Sequence, residues 1–361
     1  MLQSSTRCYT PVDPIAYPIA MSAVASFAAA IVLVLTTSQH GRFTMDAPGA
    51  IQKFHLHPTP RIGGIGIYLA LVAASQLMSS LEAKRILDTI LLAGIPALVA
   101  GLLEDLTKRI SVRTRLLATM ASGLVAYWMT GVMITHLQVP FVDQLLGWTP
   151  IAVLFTIFAI GGIANAINII DGFHGLASGT ATIALLALAG IAALVGDTPL
   201  VLTAVILAAA VAGFWLVNFP WGKLFLGDGG AYFAGFALAW LAVLLPMRNP
   251  QVSPWASFLV CAYPVIEVLY SIVRRGLRRE SPGNPDRHHL HSLVATKLVQ
   301  PKLRNLHPTL QNSAVSVLMW VCAAAPAVAA VALYQRPIAL WFCAGACVLL
   351  YHMLYRYLVR L

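Results

Sequence analysis

The stretch NAINIIDGFHGLASG (residues 165–179) puts two Asn, an Asp and a His in one short segment between two long apolar runs. Of the 361 residues, 59% are hydrophobic and 10% charged, and the mean hydropathy is +0.80. An ordinary soluble domain carries about 25% charged residues. The chain therefore reads as all-α, a polytopic integral membrane protein forming one domain over residues 1–361. Five cysteines, Cys8, Cys261, Cys322, Cys343 and Cys347, make an odd set without a CxxC pair. Four of them lie in apolar runs, where Cys behaves as a small hydrophobe.

Apolar runs long enough to cross a bilayer core are predicted at 18–37, 63–80, 86–103, 116–136, 150–168, 178–195, 199–217, 229–246, 254–273, 314–334 and 338–357. With these eleven spans, the N-terminus and the even-numbered loops carry Arg7, Lys84, Arg85, Arg248 and Arg336, which is 5 of the 23 Lys and Arg. The odd-numbered loops and the C-terminus carry the other 18. Such a bias sets orientation, with the N-terminus periplasmic and the C-terminus cytoplasmic in the cell inner (plasma) membrane. It also accounts for the net charge of +10 without a nucleic-acid partner. The first apolar run lacks a basic leader and a small-residue cleavage site, so no cleavable signal is expected.

The polar clusters all fall in the odd loops, at 38–62, 104–115, 169–177, 218–228 and 274–313, so they can converge on one cytoplasmic site. Asn165, Asn168, Asp171 and His174 recur every third residue, a spacing that lines one broad helix face. They either finish a helix end or handle a polar ligand and its metal; membrane-edge carboxylates are costly and tend to be functional. Asp228 either caps the helix that follows it or binds a hard cation together with phosphates, and the surrounding Gly227, Gly229 and Gly230 allow close approach. Lys223 can neutralise phosphate or simply obey the inside-positive rule. Glu104 and Asp105, adjacent on a helix, point about 100° apart and are expected to do different jobs. Glu267 stands alone inside the ninth predicted span, expected beside a neighbouring helix or the active-site cavity. His288, His289 and His291 lack the further ligands of a zinc site. Beside Arg287 they suit an anion such as a pyrophosphate.

Five motifs in order, KxHxxPTPRxGG from Lys53, the acidic pair 104–105, NxxNxxDG at 165–172, FLGDGG at 225–230 and DRxHxH at 286–291, resemble the polyprenyl-phosphate N-acetylhexosamine-1-phosphate transferases, glycosyltransferase family 4. They are more similar to the undecaprenyl-phosphate GlcNAc-1-phosphate transferase branch than to the phospho-MurNAc-pentapeptide transferase branch. The resemblance implies transfer of a sugar 1-phosphate from a UDP-sugar to undecaprenyl phosphate, releasing UMP and opening surface-polysaccharide assembly. It implies Mg²⁺, or alternatively Mn²⁺, held by Asp228 and Asp171, with Glu104 and Asp105 at the lipid phosphate. It further implies that Lys53, Asn165, Asn168, His174, Lys223, Arg287, His289 and His291 bind substrate, and leaves room for a homodimer. Three positions depart from the family pattern: Glu104 replaces the usual Asp, His174 stands where Asp is common, and Ser292 replaces a His. The alternatives are the peptidoglycan-precursor transferase or, in another class, a transporter, which would place its ionisable groups near the bilayer midplane.

Overall fold

The computed structural model describes residues 15–46, 58–279, 286 and 288–361. Lys53 and Arg287 lie outside the described residues. In chain order the helices are α1 (Ala16–Leu35), α2 (Thr37–Thr44), α3 (Gly63–Gln76), α4 (Leu81–Ala93), α5 (Ile95–Thr107), α6 (Val112–Thr130), α7 (Pro140–Leu146), α8 (Thr149–Ile169) and α9 (Leu176–Leu194). They continue with α10 (Thr198–Asn218), α11 (Gly227–Arg248), α12 (Pro254–Val260), α13 (Ala262–Arg278), α14 (Leu290–Leu293), a π-helical turn at Val294–Val299, α15 (Gln300–Lys302), α16 (Pro308–Leu333) and α17 (Pro337–Arg360). Among the described residues the only strands are a two-residue antiparallel ladder, Met45–Asp46 on Thr59–Pro60.

Helix α11 is apolar around its whole circumference and is buried from Gly227 to Pro246, as expected of a helix at the centre of a bundle. It packs against α3, α5, α8 and α9. Its N-terminal turn meets two neighbours backbone to backbone, and glycine makes that approach. A Cβ on Gly101 of α5 would lie 2.4 Å from the Gly229 nitrogen, and one on Gly64 of α3 would lie 2.3 Å from Gly230 Cα. These contacts lock the starts of α3 and α11 and the end of α5 into one unit, the position from which the polar side chains project.

Among the described residues, seven helices are long and apolar enough to cross a membrane, or up to nine spans if each of two bent pairs, α4 with α5 (41°) and α12 with α13 (79°), counts as one. The protein is a polytopic membrane protein. The two remaining predicted spans are helical but fall short by that measure. Helix α3 has only 14 residues, and α6 begins with Arg113 and Arg115 in its first two turns. The three-residue repeat at 165–174 also reads differently in three dimensions. Helix α8 ends at Ile169, so Asp171 and His174 sit in the turn before α9 rather than farther along a helix face. Gly175, at φ +76°, closes that turn in a conformation costly for other residues.

Candidate active site at the helix ends

A polar cavity of about 370 Å³ opens where α5, α8 and α10 end and α6, α11, α14 and α16 begin. Its wall includes Arg61, Glu104, Arg115, Asn168, Asp171, His174, Asp228, His289 and His291, with Asn218, Phe225, Asp286, Ser292 and Asn312 around them. Seven of the sequence-predicted residues thus share one cavity: Glu104, Asn168, Asp171, His174, Asp228, His289 and His291.

Asp228 is the hub. One carboxylate oxygen accepts from Arg61 Nη2 at 2.7 Å and from Asn168 Nδ2 at 3.1 Å, and the other pairs with Arg115. Tyr232, one turn along α11, donates to Asn168 Oδ1 at 3.0 Å and so orients the amide. Asp228 does not cap α11, whose N-cap position is Leu226. The capping is done by Asp105 of α5, which accepts the backbone N–H groups of Asp228 at 2.9 Å and Gly229 at 3.0 Å, and also Arg61 Nε at 2.8 Å. A carboxylate at a helix N-terminus satisfies orphan donors and complements the positive end of the helix.

The acidic pair therefore divides its labour. Asp105 is fully buried and is not on the cavity wall; it holds Asp228 in place. Glu104 faces the cavity, accepts Ile110 N–H at 2.7 Å and stands 3.9 Å from Arg115. Two other predicted residues are placed elsewhere. Asn165 ties α8 to α6, donating to Thr119 Oγ1 at 2.9 Å and Gly161 O at 2.8 Å. Lys223 is exposed and outside the cavity wall. His174 lies over Gly222 with Nδ1 3.1 Å from Pro220 O, and its backbone N–H donates to Asn312 at 2.8 Å. Two cationic residues central to this geometry, Arg61 and Arg115, were absent from the sequence-predicted set. Both look like inside-positive topology residues, and only the Pro60 and Gly63–Gly64 flanks of Arg61 hint at burial.

The charges are strongly coupled. Burial pushes the Asp171 carboxyl up to about 7, helped by Asp228 and Asp105 and opposed by Arg61. Burial works against the Arg61 guanidinium, but Asp105 and Asp228 more than offset it and hold its pKa above the ordinary arginine range. On the far wall, His289 Nδ1 lies 2.9 Å from Glu267 Oε1, and the rings of His289 and His291 stack with centroids 5.3 Å apart. Burial lowers His291 to about 4, with His289 adding to the effect against Glu267 and Asp286. Asp286 accepts from Ser271 at 3.1 Å, from the His288 N–H at 2.8 Å and from Arg274.

Among the described residues no three or more His, Cys, Asp or Glu side chains are grouped to hold a metal ion. Mg²⁺ bound with a phosphorylated substrate does not need such a cage, since it takes one or two carboxylates, waters and phosphate oxygens. Asp228 and Asp171 offer two hard oxygen donors on one cavity. The raised Asp171 pKa reflects burial and crowding by acids that a divalent cation would relieve. The donor set fits.

Residues 88–246 match the family described as Glycosyl transferase family 4. A probable undecaprenyl-phosphate N-acetylglucosaminyl 1-phosphate transferase of Bacillus subtilis is 30% identical over 244 residues, covering 66% of each chain. An undecaprenyl-phosphate alpha-N-acetylglucosaminyl 1-phosphate transferase of Thermotoga maritima is 27% identical over 254 residues, 70% of this chain and 74% of the relative. A decaprenyl-phosphate N-acetylglucosaminephosphotransferase of Mycobacterium tuberculosis is 29% identical over 266 residues, 66% of this chain and 65% of the relative. The matches span about two thirds of the length of these curated relatives. The motifs at 104–105, 165–172 and 225–230 all lie inside the matched segment, and the side chains they contribute meet around Asp228: the chain belongs to glycosyl transferase family 4.

Proposed function

We propose that this protein transfers an N-acetylhexosamine-type sugar 1-phosphate from a UDP-sugar to a polyprenyl phosphate, undecaprenyl phosphate in the host membrane, and releases UMP. An oxygen of the lipid phosphate attacks the phosphorus that carries the sugar. The bond from that phosphorus to the bridging oxygen breaks, and UMP leaves with the electron pair. One phosphoanhydride replaces another, so the step is close to balanced and reversible.

The observation that carries this reading is the placement of two carboxylates, Asp228 and Asp171, and two guanidiniums, Arg61 and Arg115, on one polar cavity at a set of helix ends. Joining two phosphate anions is resisted by their charge, and preorganised cations and dipoles lower that barrier most where charge develops. Asp228 and Asp171 would hold Mg²⁺, which offsets phosphate charge when bound. Arg61 and Arg115 face the phosphate oxygens, and Glu104 stands at the lipid-phosphate side as a base or charge-positioning group. His289 and His291 contact the diphosphate sugar, while Asn168, held by Tyr232, orients the centre. Lys53 and Arg287, in the same motifs, complete the cationic set. A product analogous to those named for the relatives would open assembly of a surface polysaccharide.

The same reading sets the topology. All eleven helical segments cross or enter the membrane, with α3 and α6 completing their spans through protein neighbours that cover short or polar ends. The N-terminus is periplasmic and the cavity opens to the cytoplasm of the inner membrane. The test is a UDP-sugar labelled in the phosphate next to the sugar, incubated with undecaprenyl phosphate and purified enzyme. Label in the lipid fraction with unlabelled UMP supports the transfer, whereas labelled UDP in solution means sugar transfer without its phosphate and removes it.

A further inference from the structure

Helix α13 is amphipathic in the reverse sense for a soluble protein. Leu269, Ile272, Val273 and Leu277 are exposed, and Glu267, Ser271 and Arg275 are buried. The apolar stripe suits lipid. The buried polar face holds Asp286, His289 and Leu290. Ser271 and Arg274 bond Asp286, and Glu267, 1% exposed, accepts from His289 Nδ1 at 2.9 Å and from Leu290 N–H at 3.2 Å. A carboxylate this deep in an apolar helix is costly unless its partners are fixed.

We propose that Glu267 is a positioning residue: it binds His289 through Nδ1–H and leaves Nε2 as the ring nitrogen presented to the ligand. A histidine's free nitrogen is set by the hydrogen bond its other nitrogen makes. His289 Nε2 lies 3.8 Å from Asp286 Oδ2, on the wall both residues share, and the His291 ring lies nearly parallel to that of His289. Glu267 thus presents Nε2 as an acceptor for a hydroxyl or amide N–H of the bound nucleotide sugar without touching it, an assignment that rests on the transferase reading for the identity of the ligand. Among the described residues, the other titratable groups around Glu267 are Tyr263 on α13, Cys322 on α16, Tyr351 on α17, and His291.

The test uses full-length protein labelled with ¹⁵N-histidine, in which the His289 signals are identified by their loss in His289→Asn. Wild type should show His289 protonated at Nδ1, and Glu267→Ala should convert it to the Nε2–H form. Glu267→Gln, close in shape, keeps the test open if the alanine variant does not fold. Its amide can either accept from or donate to Nδ1, so the Nε2–H form should appear beside the Nδ1–H form. Unchanged His289 signals in Glu267→Ala, or in Glu267→Gln where the alanine variant does not fold, overturn the proposal. In turnover, Glu267→Ala should raise KM for the UDP-sugar roughly 10- to 100-fold, the scale for carboxylates that orient functional histidines, with KM for the lipid phosphate unchanged. Equal rises in both overturn it. Wild-type protein inert toward every UDP-sugar, with the tautomer change intact, removes the transferase reading and supports Glu267 as the mount of His289.

Discussion

Replacing Asp105 by Asn keeps the shape of the side chain and removes half of what it does. The carboxylate satisfies the N–H groups of Asp228 and Gly229 with its two oxygens and takes Arg61 Nε as well. An Asn can accept from one of those backbone groups, but its amide nitrogen then faces the other, leaving a fully buried donor without a partner. Such a group costs about 1–3 kcal/mol. Loss of the Asp105 charge beside Arg61 adds to this but is softened because Arg61 retains Asp228, so the total should be about 2–4 kcal/mol. Glu104→Gln is the control, since Glu104 accepts one N–H and faces the cavity; it should cost under about 1 kcal/mol. Thermal unfolding of both purified variants in the same detergent reads the difference, and both should lose turnover, for different reasons. If Asp105→Asn unfolds at the same temperature as Glu104→Gln, Asp105 is not the tether of α11 and the division of labour within the pair is wrong.

Lys223→Ala should leave turnover within about twofold of wild type, the usual scale for an exposed side chain away from special features, and a tenfold loss would return Lys223 to the substrate site. Stability should rise with pH between about 4 and 6.5 through His291. Burial depresses its folded pKa to about 4, so across that window the unfolded chain binds the extra proton. The full effect is about 3 kcal/mol, and His291→Gln should flatten the profile of melting temperature against pH; a profile unaltered by the substitution would show that His291 does not titrate in the unfolded chain alone.

How far the sequence foretold the site depended on what each residue's neighbours are in chain and in space. Asn168, Asp171 and Asp228 announced themselves as polar residues at the borders of apolar runs, His289 and His291 as a cluster beside arginines in a long loop, and all five line one cavity. The 100° rotation between adjacent helical residues implied separate placements for Glu104 and Asp105, and the two side chains do point apart, but which one faces the cavity required knowing that α11 starts against α5. Arg61 and Arg115 were hidden by the inside-positive rule, which explains any cation in these loops equally well. Asn165 misled because its three-residue spacing from Asn168 suggests a shared face, while its amide is used by α6. The span count was blurred for a related reason: hydropathy assumes lipid on all sides, and a helix such as α3, buried by glycine contacts to α11, can be short.

Asp228 carries the central claim, and Asp228→Asn tests it. The substitution leaves the N-cap of α11 with Asp105, and the two arginines keep Asp105 and Glu104 nearby, so the protein should remain folded and monodisperse. The measurement is UMP release from UDP-sugar with undecaprenyl phosphate across a Mg²⁺ and Mn²⁺ titration, wild type against variant. Wild type should depend on the divalent cation, and the variant should fall by at least about 10²-fold, the loss seen when one preorganised electrostatic group is removed. Turnover near the wild-type rate in well-folded Asp228→Asn would contradict the account and take the phosphoryl-transfer centre away from Asp228.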